Sequence, residues 1–279
     1  MVSFTINALP TQPSLTVLPE NPKTGDDITA TATGSTDADG GNVTYSYEWV
    51  YGSNTVSGST LSSSETAKGQ EWTVTATPND GTADGPSVSQ TVTIGNTAPD
   101  NLVVTITPNS GVYNDSELTC TATANDVDNA DTLEYTYEWS TGETTETITL
   151  DTSFNPMDNI ICTVTASDGT DSIVSSTNVT VENREPVLSD IDITSDGNLW
   201  NGTTLTCSVN VLDSDGETPN VFYSWTLSDG TTTVEGNTLT LENVSSGDIF
   251  TCTAVTEDDF GGTDSISDDI VISNTLPVV

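Results

Sequence analysis

The stretch "LTCTATA", residues 118–124, decides the fold together with "YTYEW", residues 135–139, and "IICTVTA", residues 160–166. Each alternates apolar and polar side chains with a period of two, which is typical of a β-strand that buries one face. Cys120, Trp139 and Cys162 lie on the apolar faces. The sequence therefore predicts an early strand with a cysteine, a following strand with a tryptophan and a late strand with a second cysteine.

Similar landmarks return on both sides of this segment. The motif Asn-x-x-Pro occurs four times, at separations of 89, 87 and 91 residues, and begins at Asn7, Asn96, Asn183 and Asn274. A fixed period of this size indicates tandem modules, which we place at residues 7–95, 96–182 and 183–273. We expect residues 1–6 to be the closing strand of a preceding repeat or a strand used for assembly, and residues 274–279 to begin the next junction.

One tryptophan per module has the same place in this frame, and we predict all three for the core: Trp49, Trp139 and Trp225. The third module also repeats the two cysteines, as Cys207 and Cys252. The first module has Ala30 and Val74 at the corresponding positions. We therefore predict that the first module has no disulfide.

Composition excludes several classes of function. The chain has 42 acidic and three basic residues and a net charge of -39, so it does not bind nucleic acid or anionic lipid electrostatically. It has no histidine, which excludes histidine-based catalytic triads and histidine-ligated zinc. No apolar run approaches the roughly 20 residues of a membrane-spanning helix, so we predict no membrane insertion.

The modules resemble the immunoglobulin-like, PKD-like and cadherin-like repeats of bacterial and archaeal surface proteins. The resemblance is carried by "DADGGNVTYSYEW" (37–49), "WTVTATPNDG" (72–81) and the "NTAP" junction from Asn96. It implies an all-β fold with three tandem immunoglobulin-like β-sandwiches in an elongated array. It also implies disulfides Cys120–Cys162 and Cys207–Cys252, and hence an oxidising, extracellular or cell-surface location. A redox or metal role for these cysteines is the alternative, although that role favours closer spacing.

Acidic residues recur in two predicted loops of every module. In an immunoglobulin-like sandwich these loops lie at the end that carries the Asn-x-x-Pro junction, so carboxylate and amide oxygens could together supply the six to eight ligands of calcium. The cadherin-like resemblance implies the same cofactor. The alternative is plain turn chemistry, since Asp-x-Asp-Gly is also a good turn. The candidate metal ligands are Asp37, Asp39, Asp80, Asn96, Asp126, Asp128, Asp131, Asp168, Asn183, Asp213, Asp215 and Asp258.

We predict no catalytic site, because glycosidase-like carboxylate chemistry needs a cleft with sugar-stacking aromatics and nearly all aromatics here alternate inward. The predicted function is a structural stalk or spacer segment of a secreted or surface adhesin or extracellular fibre, with flanking repeats or identical subunits as partners. One alternative is a carbohydrate- or protein-binding module that would use Trp200, Tyr51 or Tyr113 on a surface glycan or protein. The other is a filament subunit that adds residues 2–6 as a strand to its neighbour.

Overall fold

Strands account for nearly all the regular structure in residues 6–273, which the computed structural model describes. These residues form twenty β-strands and one single-turn 3-10 helix at Ser63–Glu65, with no α-helix. Within the same range no helix is long and apolar enough to cross a membrane. The expected strand in residues 1–6 falls outside this range except for Ile6, and so does the expected junction at residues 274–279.

Seven strands make the first sandwich. One sheet has the order β1-β2-β5 and the other the order β4-β3-β6-β7, and all neighbours are antiparallel. The strands are β1 (Ser14–Leu18), β2 (Ile28–Thr33), β3 (Thr44–Tyr51), β4 (Asn54–Ser57), β5 (Thr60–Leu61), β6 (Glu71–Asn79) and β7 (Val88–Thr93).

The core of this sandwich is apolar on both sides. Val17 and Ile28 of the first sheet belong to the same buried cluster as Trp49, Trp72 and Val74 of the second. The cluster exists because β2 alternates buried with exposed residues and β6 alternates buried with mostly half-buried ones, so that each sheet has one apolar face to cover.

The second sandwich has six strands, in sheets of order β11-β9-β8 and β10-β12-β13. Its buried residues include Leu118, Trp139 and Ile160. Cys120 of β9 and Cys162 of β12 form a disulfide with Cα atoms 6.5 Å apart. The strands are β8 (Asp100–Thr107), β9 (Glu117–Asn125), β10 (Glu134–Trp139), β11 (Thr147–Thr149), β12 (Asn159–Ser167) and β13 (Ser172–Thr180).

The third sandwich returns to seven strands, in sheets of order β14-β15-β18 and β17-β16-β19-β20. Leu205, Trp225 and Phe250 lie in its buried cluster. The disulfide Cys207–Cys252 joins β15 to β19 and therefore links the two sheets. The strands are β14 (Val187–Ser195), β15 (Thr204–Leu212), β16 (Asn220–Thr226), β17 (Thr233–Glu235), β18 (Thr238–Thr240), β19 (Ile249–Glu257) and β20 (Thr263–Val271).

These sheets confirm the predicted all-β fold of immunoglobulin-like sandwiches. By compactness, the described residues form two units: one has residues 6–105, Thr121–Glu138 and Thr163–Ser176, and the other has Ile106–Cys120, Trp139–Cys162 and residues 177–273. The module boundaries read from the sequence stay a prediction.

Tyrosines supply hydrogen bonds within the first two sandwiches. The Tyr47 hydroxyl accepts a hydrogen bond from the Ala32 amide at 2.9 Å, and the Tyr45 hydroxyl accepts one from the Ser35 amide at 3.1 Å. In the second sandwich the Tyr135 hydroxyl accepts one from the Ala124 amide at 3.0 Å. The phenols of β3 and β10 therefore satisfy donors of β2 and β9 and of the residues that follow β2.

Candidate metal centres

Three junction sites recur in the chain, each built from a segment before a sandwich and two loops of that sandwich. The first junction site consists of Asn7, Asp37, Asp39 and Asp80. Asp37 and Asp39 lie between β2 and β3, and Asp80 follows β6. In the folded sandwich these loops lie beside the segment that carries Asn7, as the hydrogen bonds below establish.

Three hydrogen bonds define the first junction site. The Asn7 amide group donates to Asp80 Oδ2 at 2.8 Å, and the Ala8 backbone N–H donates to Asp39 Oδ2 at 2.6 Å. The Asp39 N–H in turn donates to Asp37 Oδ1 at 3.0 Å. One carboxylate of each loop therefore binds the segment ahead of β1, and Asp37 holds Asp39 in place.

The second junction site repeats the arrangement. Asn96 Nδ2 donates to Asp168 Oδ2 and to Asp171 Oδ2, each at 2.9 Å. The Thr97 N–H donates to Asp128 Oδ2 at 2.8 Å, and the Asp128 N–H donates to Asp126 Oδ1 at 2.8 Å. Asp171 is an additional acceptor that sequence reasoning did not select.

The third junction site has the same bonds again. Asn183 Nδ2 donates to Asp258 Oδ2 at 2.8 Å, and the Arg184 N–H donates to Asp215 Oδ2 at 2.6 Å. The Asp215 N–H donates to Asp213 Oδ1 at 2.8 Å. The Asn-x-x-Pro asparagines and the paired loop aspartates therefore form one structural motif that occurs three times in the chain.

Several oxygens in the second and third junction sites are buried without a hydrogen-bond partner. In the second site they are Asn96 Oδ1, Asp126 Oδ2 and Asp128 Oδ1. In the third they are Asn183 Oδ1, Asp213 Oδ2 and both carboxylate oxygens of Glu217. A buried carboxylate oxygen without a donor costs free energy, and a cation would remove that cost.

Two groups of three carboxylates have the geometry to hold a metal ion. Asp126, Asp128 and Asp131 each offer an oxygen within 4.8 Å of the others. The second group consists of Asp213, Glu217 and Asp258, with the same limit on its oxygens. The two predicted loops meet only in the group that contains Asp258, since the other group lies in a single loop. Asp168 and Asp215 lie outside these groups and accept hydrogen bonds from Asn96 and the Arg184 backbone.

The electrostatics of the third group agree with an uncompensated negative charge. Burial, together with the charge of nearby carboxylates, raises the pKa of Asp213 and of Glu217. Burial also acts to raise the pKa of Asp258, but hydrogen bonds from Asn183 and from the backbone of its own loop outweigh it and lower that pKa. Burial and neighbouring carboxylates thus raise the pKa of two members of the group, whereas hydrogen bonds lower the pKa of the third.

Basic residues take part in two of the three sites, a feature that loop-by-loop sequence reasoning missed. Lys68 Nζ lies 2.8 Å from Asp131 Oδ2, and this hydrogen bond raises the pKa of Lys68. A cavity of about 220 Å³ beside the pair is lined by residues that include Thr24, Lys68 and Asp128. The sequence does contain a sign of this contact: the whole chain has only three basic residues, so each of them is a candidate partner for the acidic loops.

Arg184 is the basic residue of the third junction site. Its guanidinium contacts Asp215 Oδ1 at 3.2 Å and also pairs with Asp115. It lies 4.2 Å from the ring centroid of Tyr113, and Asn114, which is 1% exposed, donates to the Asp215 carbonyl at 2.7 Å. Arg184 thus connects the loop before β9 to the loop after β15.

The aromatic residues considered for ligand binding differ in exposure. Trp200 is 55% exposed and lies between β14 and β15. Tyr51 packs against Trp72 with ring centroids 5.6 Å apart, and the face of Tyr113 contacts Arg184. Of the three predicted aromatics, Trp200 therefore has the most accessible ring.

Comparison with known proteins gives no family. No family model matches the chain, and no curated protein matches it. Solved structures that are similar in part include three N-terminal domains of the highly immunogenic outer capsid protein of bacteriophage RB49 (17% identity, 92% of this chain and 96% of that one, TM-score 0.26). Three domains of titin match at 10% identity, over 96% of this chain and 100% of that one, with a TM-score of 0.34. A tetra-tandem repeat in the extending region of a large adhesion protein matches at 17% identity, over 95% of this chain and 75% of that one, with a TM-score of 0.33. At these TM-scores the similarities carry no argument about function.

Proposed function

We propose that the chain is a non-enzymatic structural repeat segment of a secreted or cell-surface adhesin or extracellular fibre, in which calcium stiffens the junctions between modules. Its partners are flanking repeats or further copies of the same segment. The observation that carries the proposal is the junction network, which appears three times with buried, unpartnered oxygens in two of its copies.

The donor set favours calcium among the metals. The candidate ligands are carboxylate and amide oxygens, the chain has no histidine, and the four cysteines are in disulfides. Zinc and copper favour nitrogen and sulfur ligands, whereas calcium takes six to eight oxygens in an adaptable geometry. Backbone carbonyls and water would complete the shell around three carboxylates and one asparagine.

Repetition supports a structural role over a catalytic one. The asparagine of each junction binds a carboxylate of the next sandwich, so the network fixes the segment that leads into each sandwich. A metal ion that bridges the same loops would reduce the freedom of that segment further. The two disulfides also favour an oxidising, extracellular setting.

Calcium titration followed by thermal unfolding tests the proposal. We expect heat of binding in isothermal titration and a higher Tm with calcium than with chelator, because a ligand that binds only the folded state stabilises it. Asp128→Asn with Asp213→Asn should weaken both effects. The control Glu71→Gln, at an exposed position of β6, should leave them unchanged. A chain that takes up no calcium and keeps its Tm would refute the metal.

A second candidate function is recognition of a glycan or protein, and it is favoured by the exposure of Trp200. Aromatic rings stack on sugar faces, and loop residues of immunoglobulin-like domains commonly bind ligands. A glycan array should then give a signal that Trp200→Ala abolishes, while Tyr51→Ala, which removes a ring already packed on Trp72, leaves it intact. An array without a signal would leave the structural role as the better proposal.

A further inference from the structure

Besides their basic residues, the three junction sites differ in the third acidic residue of the loop that carries the aspartate pair. In the first site Gly41 follows the pair, and a Cβ there would come within 2.6 Å of Asp37 Oδ2. The second site has Asp131 and the third has Glu217. The fold therefore repeats the network but varies its negative charge.

Glu217 has no positive partner in the part of the chain that the structure describes. Both of its carboxylate oxygens are buried and lack a hydrogen bond, and the same holds for Asp213 Oδ2, whose residue is 7% exposed. The Arg184 guanidinium nearby binds Asp215 and Asp115 instead. Among residues 6–273, no cation contacts the three carboxylates grouped in the third site, which each offer an oxygen within 4.8 Å of the others, and this is the arrangement a divalent cation neutralises.

Asp131 already has a positive partner. Lys68 Nζ donates to Asp131 Oδ2 at 2.8 Å, and the Asp131 side chain is only 14% exposed. A metal ion at the second site must either displace this ammonium or bind beside it, and both alternatives weaken binding through lost contacts or through repulsion. Asp128 Oδ1 and Asp126 Oδ2 remain buried and unpartnered, so the second site still attracts a cation.

From these differences we propose that Glu217 makes the third junction site the tightest divalent-cation site of the chain, and that Lys68 weakens the second by neutralising Asp131. The first site, without a third acid, is the weakest. This ranking rests on the proposed function. It adds that the junctions load in a fixed order as the calcium concentration rises, with the third loading before the second.

Titration of the full chain with calcium, followed by assigned amide resonances in NMR, tests the order directly. The amides of Asp215 and Gly262 donate to ligands of the third site, and those of Asp128 and Thr170 donate to carboxylates of the second. We expect the first pair to reach its end point at lower calcium than the second pair. Simultaneous or reversed saturation overturns the proposal.

Two conservative variants separate the causes. Glu217→Gln should weaken the tighter class of sites in isothermal titration by about tenfold or more, because it removes one unit of ligand charge. Lys68→Gln should strengthen the weaker class several-fold. Glu235→Gln on β17 and Lys23→Gln make the same charge changes at exposed positions and should leave the classes as they are.

The outcomes distinguish this proposal from the broader one. If the wild-type chain binds calcium but Glu217→Gln and Lys68→Gln leave both affinities unchanged, the ranking is wrong and the calcium proposal stands. If the wild-type chain takes up no calcium, both are wrong. A loss of the tight class in Glu217→Gln with unaltered NMR resonances in the β-strands supports the ranking, because the variant is then folded.

Discussion

The first and third sandwiches hold their two sheets together in different ways. The third joins its sheets through Cys207–Cys252, while Ala30 and Val74 take the equivalent places in the first and are buried without a covalent bond. Trp49 and Trp225 are both fully buried beside these positions. The comparison teaches that apolar faces and a central tryptophan suffice to close this sandwich, and that a disulfide adds stability to a fold already specified.

Removal of the third disulfide should give the largest effect on that comparison. Cys207→Ala with Cys252→Ala opens a loop whose ends are separated by 45 residues. On the chain-entropy model the free energy of unfolding of the third sandwich should fall by about 4 kcal/mol. Hydrogen exchange of β19 amides measures this loss, and β6 amides of the first sandwich are the internal control. Equal acceleration in β6 and β19 would contradict the prediction.

The junction asparagines should give the next effect. In chelator, Asn183→Ala removes the amide donor of buried Asp258 and should lower stability by about 1.5 kcal/mol, since hydrogen bonds to charged groups are the stronger ones. Asn7→Ala removes the same contact to Asp80 at an exposed position and should cost only a few tenths of a kcal/mol. Urea unfolding of both variants compares them, and equal losses would mean that burial does not set the strength of this bond.

The tyrosine hydrogen bond of the first sandwich should contribute less. Tyr47→Phe leaves the amide of Ala32, a residue only 5% exposed, without its acceptor, and should cost about 1 kcal/mol. Tyr223 occupies the equivalent place in the third sandwich, where no β15 amide among the described residues donates to its hydroxyl. Tyr223→Phe should therefore be nearly neutral in the same urea experiment. If the two changes lower the free energy of unfolding equally, the loss comes from packing and not from this hydrogen bond.

The smallest effect concerns the turn after β16. Two backbone amides and the Thr232 hydroxyl donate to Asp229, and these bonds, with the Thr232 hydroxyl as the largest cause, lower the pKa of Asp229 to about 2. Because the folded pKa lies below the unfolded value, the associated stability is present above about pH 4 and is lost as pH falls towards 2.

Thr232→Val should raise the pKa of Asp229, as measured by NMR titration of the side-chain carboxyl carbon. The turn between β3 and β4 in the first sandwich consists of Gly52 and Ser53 and has no carboxyl group to titrate. An Asp229 pKa that does not change in Thr232→Val would show that the backbone amides alone cause the shift.

Local sequence patterns were sufficient for the strands and much of the junction network. Alternation around Cys120 and Cys162 predicted buried faces, because a strand with one covered side must repeat every two residues. The recurrence of Asn and paired Asp residues identified the loops because the same backbone turn needs the same side chains each time.

The contacts of the basic residues were not predicted from the sequence. Lys68 binds Asp131, which is 63 residues away, and nothing in the local pattern of either residue encodes that distance. Glu217 differs from Asp131 in its longer side chain and in its spacing from the aspartate pair. Sequence alone therefore does not show which of the two sites binds a cation more tightly. Which oxygens remain unpartnered depends on burial in the assembled loops.

The scarcity of basic residues has a consequence for proteolysis. Trypsin cuts only after lysine or arginine, and the chain of 279 residues offers it three such residues. Two of these side chains are already bound, Lys68 to Asp131 and Arg184 to Asp115 and Asp215. At these two residues trypsin must first displace a bound carboxylate, so cleavage there should be slower than after the exposed Lys23.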